Sequence, residues 1–222
     1  RRAKPDRFAP VGSDPHPTPR PTPGSHPVHG GLMHLNQARE RLMPNVAEAR
    51  GLLNSADVLF TAEQVTAAVD QMAIDITAKL GDSYPLVLSV MGGAVVFTGQ
   101  LLPRLAFPLD FDYVHVSRYG DKTRGGELVW RQAPKEDVRD RVVLVLDDIL
   151  DEGETMAAIR DKVMAMGAKA FYSGVFANKL ISKAKPIAAD FVGIDVPDRY
   201  VFGYGMDVRG AWRNLPAIYA LK

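Results

Sequence analysis

Arg141-Val-Val-Leu-Val-Leu-Asp147-Asp148-Ile149-Leu150-Asp151-Glu152-Gly153-Glu154-Thr155 is the stretch whose reading decides the fold. Five consecutive apolar residues, Val142 to Leu146, have the pattern of a strand buried on both faces. The strand runs out in two adjacent carboxylates, and a short loop with Gly153 leads into a helix expected over Thr155–Met166 and closed by Gly167. Working outward, strands are expected at Leu86–Met91, Leu109–Ser117, Glu127–Arg131, Val142–Asp147, Ala170–Ala177 and Phe191–Val196. A second helix is expected at Val95–Leu105. A third opens at the capping box Thr61-Ala-Glu-Gln64 and carries Val65, Val69, Met72, Ile76 and Leu80 at helical spacing. Alternating strands and helices with such apolar strands predict an α/β fold, with a mainly parallel central sheet flanked by helices on both faces.

Composition narrows the function classes. The 222 residues are 46% hydrophobic and 24% charged, and 27 basic side chains nearly cancel 26 acidic ones. That balance argues against a chain built to coat nucleic acid or an anionic membrane. With no cysteine, a disulfide framework, a thiolate nucleophile, an Fe–S cluster and a cysteine zinc site are all excluded. Four of the five histidines (His16, His26, His29, His34) fall in the first 34 residues, without metal-ligand spacing. Ser83–Pro103 is 21 residues without a charge, long enough to span a bilayer, but Pro85 and the Gly92–Gly93 pair divide it into a strand, a turn and a helix.

Residues 1–30 differ from the rest. They hold eight of the 16 prolines, only five apolar residues and a net charge of +3, which leaves −2 for residues 31–222. Such a segment cannot bury enough apolar surface to offset its ordering entropy, so residues 1–32 are expected to be a disordered Pro/His-rich tail and residues 33–222 the folded domain. It lacks a signal-peptide core, and Met33 or Met43 would be a plausible natural start.

The central loop carries the chemistry. Ligands of open parallel sheets collect at the carboxyl ends of strands. Loop amides and a helix N-terminus make a phosphate site, to which the Thr155 hydroxyl can add a donor, while Asp147 and Asp148 can clamp a ribose diol or help hold a metal. A phosphate cradle beside a diol clamp describes a phosphoribose. The acidic pair taken alone fits a response-regulator-like domain nearly as well, whereas the full order strand, Asp-Asp-x-x-Asp-x-Gly-x-Thr, helix favours the phosphoribose.

At these residues the chain resembles the phosphoribosyltransferase family, and four further segments resemble its hypoxanthine-guanine branch over roughly Asp57 to Lys222. Val90-Met91-Gly92-Gly93-Ala94 sits where that family has its pyrophosphate loop. Val116-Ser117-Arg118-Tyr119-Gly120 is similar to the start of its mobile lid, and Ala177-Asn178-Lys179 to the strand end with its purine-contacting lysine. The run Val196-Pro197-Asp198-Arg199-Tyr200-Val201-Phe202-Gly203-Tyr204-Gly205-Met206-Asp207, with Arg213-Asn214-Leu215-Pro216 after it, resembles its base-binding and closing segment. The resemblance implies a type I phosphoribosyltransferase fold whose small hood is built from about 35–60 and 179–222.

It also implies roles. Asp147, Asp148, Asp151, Glu152, Gly153, Glu154, Thr155, Met91, Gly92, Gly93 and Arg213 would bind phosphoribosyl pyrophosphate (PRPP). Asp151 would be the general base that takes the purine N7 proton. Lys179 would face the purine six-position oxygen, Tyr200 would stack on the base, and Val201 and Asp207 would complete the purine site. Asp147, Asp148 and Asp207 would contact Mg²⁺, and Ser117, Arg118, Tyr119 and Gly120 would open the lid. Two departures stand out: relatives often carry Lys or Arg at Gly92 and Ser at Arg118. The implied activity is purine salvage, from PRPP and a 6-oxopurine to a nucleotide and pyrophosphate, in a cytoplasmic homo-oligomer (dimer or tetramer) with no nucleic-acid or membrane partner. A phosphoribosyltransferase for another base would share the Asp147–Thr155 motif, and a phosphoribosyltransferase-like regulator that binds PRPP or nucleotides would keep the fold. The first of these should lack Lys179 with the Tyr200–Asp207 segment.

Overall fold

The computed structural model describes residues 44–118 and 128–222. The tail expected over 1–32 lies outside these residues, as do Tyr119 and Gly120.

The described chain opens with helix α1 (Val46–Ser55), capped by Asn45 and Glu48 in a reciprocal box, then strand β1 (Asp57–Phe60). Helix α2 (Ala62–Leu80) starts at the expected box: the Thr61 side chain accepts from the Gln64 amide, and Gln64 accepts in return from the Thr61 amide. Its apolar stripe, Val65, Val69, Met72, Ala73, Ile76 and Leu80, is buried. Next come β2 (Leu86–Met91), α3 (Val95–Leu101), β3 (Asp110–Arg118), β4 (Leu128–Gln132), β5 (Val142–Leu150), α4 (Glu154–Ala165), β6 (Ala170–Leu180), β7 (Phe191–Pro197), β8 (Val201–Phe202) and β9 (Ile218–Ala220).

Six strands form one sheet in the order β4-β3-β2-β5-β6-β7. All neighbours from β3 to β7 run parallel, and only β4 is antiparallel, against β3. The sheet is buried on both faces because β5 alternates its apolar residues between two cores. Leu144 and Leu146 join α2 and α3 on one side, while Val143 and Val145 join α4 on the other. A separate antiparallel sheet, β1-β9-β8, brings the Asp57–Phe60 strand against the C-terminal residues. Arg199 fastens it, donating to Asp57 Oδ2 at 2.6 Å and to the Leu221 carbonyl at 2.7 Å.

Several boundaries differ from the sequence reading: β3, β4 and β7 by a residue, and β6 by three, since it runs on to Leu180. Strand β5 continues through Leu150, because β6 supplies partners as far as Asn178; the acidic pair therefore stands within the strand rather than at its end. The helix expected over Val95–Leu105 is α-helical only to Leu101, and Leu102–Arg104 tightens into a 3₁₀ turn around Pro103, whose missing N–H cannot continue the ladder. Helix α4 begins at Glu154, one residue early, behind Gly153 in the left-handed conformation (φ 82°).

Candidate active site

The carboxyl ends of β2, β5 and β6 converge on one side of the sheet, and Asp147 and Asp148 stand there on the central strand. Asp147 Oδ1 accepts the Asp148 amide at 2.9 Å. Burial pushes the Asp147 carboxyl well above the usual carboxylate range, and the neighbouring Asp148 charge adds to it. Burial also raises Asp148, partly offset by its hydrogen bond to Asp147 and by the positive charge of Arg213. Two carboxylates held this close, one of them facing a cation, are poised to be neutralised by donors from a ligand.

Against this pair lies the turn that follows β2. A Cβ at Gly93 would overlap the Asp148 carboxylate, and a Cβ at Gly205 would overlap the Gly93 carbonyl, so glycine is what lets the two loops and the acidic strand meet. The buried Ser89 and Thr98 hydroxyls, 2.8 Å apart, brace the turn from below.

Two clefts share Asp148, Ile149 and Asp151. One, about 240 Å³, is lined by these residues and by Lys179, Tyr200, Val201, Met206, Asp207 and Arg213. The other, about 230 Å³, is the cup formed by Asp147–Gly153 with Thr155 and Met156. The cup sits at the N-terminus of α4, where backbone amides and the helix dipole favour an anion. A planar base in the first cleft and a phosphate in the second would therefore flank the acidic pair.

The chain matches the phosphoribosyl transferase domain model over residues 55–209. It belongs to the phosphoribosyltransferase family. It is 32% identical over 166 residues to the hypoxanthine-guanine phosphoribosyltransferase of Bacillus subtilis, covering 74% of this chain and 92% of that one. To the hypoxanthine-guanine-xanthine phosphoribosyltransferase of Tritrichomonas foetus it is also 32% identical, covering 74% and 91%. A solved hypoxanthine phosphoribosyltransferase from Staphylococcus aureus superposes with a TM-score of 0.72 at 26% identity, over 76% of this chain and 93% of that one. The fold is that of the type I phosphoribosyltransferases, an α/β architecture around a mainly parallel sheet.

Within this phosphoribosyltransferase, most of the side chains singled out in the sequence line two adjoining clefts. Asp148, Asp151, Lys179, Tyr200, Val201, Asp207 and Arg213 share one cleft, and Asp147, Glu152, Gly153 and Thr155 line its neighbour. Lys179 Nζ donates to Asp151 Oδ2 at 2.8 Å. Asp207 pairs with Arg213 and also accepts the Gly210 amide at 2.6 Å, while Arg213 Nη1 donates to the Gly205 carbonyl at 2.6 Å. Glu154 opens α4 and is exposed, whereas Met91, Gly92 and Gly93 form the end of β2 and its turn. Ser117 lies in β3, where its hydroxyl accepts from Arg131 Nε at 2.8 Å. The side chain of Arg118, like Tyr119 and Gly120, is outside the described residues.

Among the described residues, no group of three or more His, Asp or Glu side chains is arranged to hold a metal ion. The three acids Asp147, Asp148 and Asp207 therefore do not form one cage. Two residues lining the first cleft, Ile149 and Met206, escaped the sequence reading. Each is an apolar residue beside an acid already singled out, and only the geometry distinguishes it from a core residue.

Proposed function

We propose that this phosphoribosyltransferase serves purine salvage, transferring the 5-phosphoribosyl group of PRPP to hypoxanthine or guanine with release of pyrophosphate. One observation carries the reading: Lys179, Asp151 and Tyr200 line one cleft that opens onto the acidic pair and the phosphate cup. Relatives at 32% identity are named for hypoxanthine, guanine and xanthine, which supports a 6-oxopurine.

In this reading the 5′-phosphate sits in the Asp151–Thr155 cup against the α4 amides, and Asp147 and Asp148 orient the ribose hydroxyls. Tyr200 stacks on the purine, and backbone groups near Val201 meet the base edge. Lys179 donates to the six-position oxygen, which adenine lacks. The bond from C1 of the ribose to pyrophosphate breaks with its electron pair leaving on oxygen. Purine N9 forms the new bond to C1, and the N7 proton passes to Asp151. The Met91–Gly93 turn and Arg213 hold the departing pyrophosphate, a matter of positioning and charge stabilisation.

Mg²⁺ fits this donor set as an ion held mainly by the substrate. The raised carboxyls of Asp147 and Asp148 can accept a cation, yet no three-acid group would cage it. When bound it supplies positive charge to the pyrophosphate, and Asp147, Asp148 and, across the cleft, Asp207 are the residues that would meet it or its waters. The reading includes a cytoplasmic homo-oligomer, dimer or tetramer, acting without nucleic acid or membrane. No described helix is long and apolar enough to cross a membrane.

The experiment is a spectrophotometric assay with PRPP and Mg²⁺, offering hypoxanthine, guanine, xanthine, adenine and uracil in turn. Turnover confined to the oxopurines is expected. Turnover of adenine or uracil instead would overturn the purine assignment. PRPP binding without turnover of any base would favour a regulator.

A further inference from the structure

Lys185 lies in the β6–β7 connection and has no part in the chemistry described above. Its Nζ donates to the Leu150 carbonyl at 2.6 Å and to Asn178 Oδ1 at 2.7 Å. The Asn178 amide is fixed from its other end, donating from Nδ2 to Asp195 Oδ1 at 2.7 Å. This settles which of its atoms faces Lys185. The Leu150 carbonyl belongs to the peptide from which Asp151 departs, and Asn178 directly precedes Lys179. One ammonium thus joins the two backbone segments that carry the Asp151–Lys179 ion pair.

The same connection backs the phosphate cup. A Cβ on Gly153 would stand 3.3 Å from Lys185 Cβ, 3.4 Å from Pro186 Cδ and 3.5 Å from Ile187 Cγ2, so 185–187 forms the wall behind the turn at φ 82°. Lys185 is half-buried, and desolvation holds its ammonium below the ordinary lysine value. A solvated surface lysine would carry no such penalty.

We infer that Lys185 is a positioning residue for phosphoribosyl transfer, clamping the Leu150 carbonyl to Asn178 so that Asp151, held by its ion pair with Lys179, meets the purine in register. The inference rests on the reading of Asp151 as the base. Lys185 reaches no reacting atom itself. Its effect runs through Asp151, and a misplaced base slows the chemical step more than it weakens substrate binding.

The test is a double-variant cycle with Asp151→Asn, measuring kcat and KM for PRPP and hypoxanthine. Lys185→Met keeps the apolar stem and removes the donors. It is expected to lower kcat about tenfold with both KM values within about threefold, and Lys185→Arg to recover at least a third of the loss. In the Asp151→Asn background, Lys185→Met should cost less than about twofold, because the group it positions is gone. An equal loss in both backgrounds, or an unchanged kcat, would overturn the positioning role. If Asp151→Asn itself left kcat unchanged, the general-base reading would fall, a result distinct from failure of the Lys185 inference. Should Lys185→Met not fold, Asn178→Ala removes one of the two acceptors and is read in the same cycle.

Discussion

Lys179 Nζ lies 2.8 Å from Asp151 Oδ2, so the side chain assigned to reading the purine and the side chain assigned to taking its proton are ion-paired. The lysine is the more enclosed partner, with a side chain 13% exposed against 52% for the aspartate. An ammonium held in place and largely out of water pays little to meet a carbonyl oxygen, and Asp151 is left open towards the cleft. Removing it should therefore cost oxopurines selectively. Lys179→Gln is expected to lower kcat/KM for hypoxanthine and guanine by about 10- to 100-fold, the range of a hydrogen bond to a charged group. The KM for PRPP should move less than about threefold. An equal loss for PRPP binding, measured by titration without base, would place Lys179 in the phosphoribose site instead.

Asp147 is stressed in the opposite sense. Its folded-state carboxyl is raised by burial first and by the Asp148 charge second. A raised carboxyl contributes stability that is fully present below the unfolded range and is lost as pH rises through the folded value. Above the unfolded carboxylate range Asp147 therefore weighs against the fold. Asp147→Asn removes the charge, yet its side-chain oxygen can still accept the Asp148 amide. The variant should melt higher than the parent at pH 8, and the gap should shrink towards pH 5. Its KM for PRPP should rise at least about tenfold, as the diol loses charged acceptors. A lower melting temperature at pH 8 would show that Asp147 stabilises the fold rather than straining it.

Much of this was legible in the sequence, for physical reasons that differ by element. Strand β2 was placed to the residue, because Pro85 and Gly92 bound an apolar run that only a doubly covered strand explains. The start of α2 was equally clear, since Thr61 and Gln64 cap it through local hydrogen bonds. Strands β8 and β9 were invisible: two- and three-residue strands have no periodicity, and their pairing partners lie across the chain, as Val201 with Ala220 shows. Helix α1 lacks a buried residue and so lacks an apolar stripe. In the site, the acids stood out by type and order, and Lys179 only through the resemblance of the Ala177–Lys179 segment to the family. Ile149, Met206 and Lys185 did not, because their part depends on contacts between segments far apart in sequence.

Tyr200 offers a cleaner test of base stacking, because the residue is 53% exposed and so is not needed to fill the core. Burial of the hydroxyl region raises its pKa, with the Asp207 charge second. Tyr200→Phe keeps the ring and should leave the purine KM within about twofold. Tyr200→Leu should raise it about 5- to 100-fold, as stacking on a base is worth about 1–3 kcal/mol. Steady-state kinetics at saturating PRPP distinguish the two. Equal effects from both variants would point to the hydroxyl rather than the ring.

Gly93 and Gly205 occupy one stack, but what blocks a side chain differs, and so should the outcome of filling each. At Gly93 an added methyl meets the carboxylate of Asp148, the end of a side chain that can rotate away. Gly93→Ala should then fold with a melting temperature within a few degrees of the parent. Displacing Asp148 should lower kcat/KM by about 100-fold. At Gly205 the methyl meets the Gly93 carbonyl, which is backbone, and the residue sits at φ 105°. Its neighbours cannot yield either, because the Gly205 amide donates to the Arg213 carbonyl at 2.8 Å while Arg213 Nη1 donates to the Gly205 carbonyl. Gly205→Ala should cost at least about 2 kcal/mol of stability, a fall of roughly 4–8 °C for a domain of this size. Thermal unfolding and kinetics on both variants decide the matter. A stable, active Gly205→Ala protein would mean that the Gly205–Asp207 segment stands away from the pyrophosphate turn in solution, and Arg213 would lose its assignment to the leaving group.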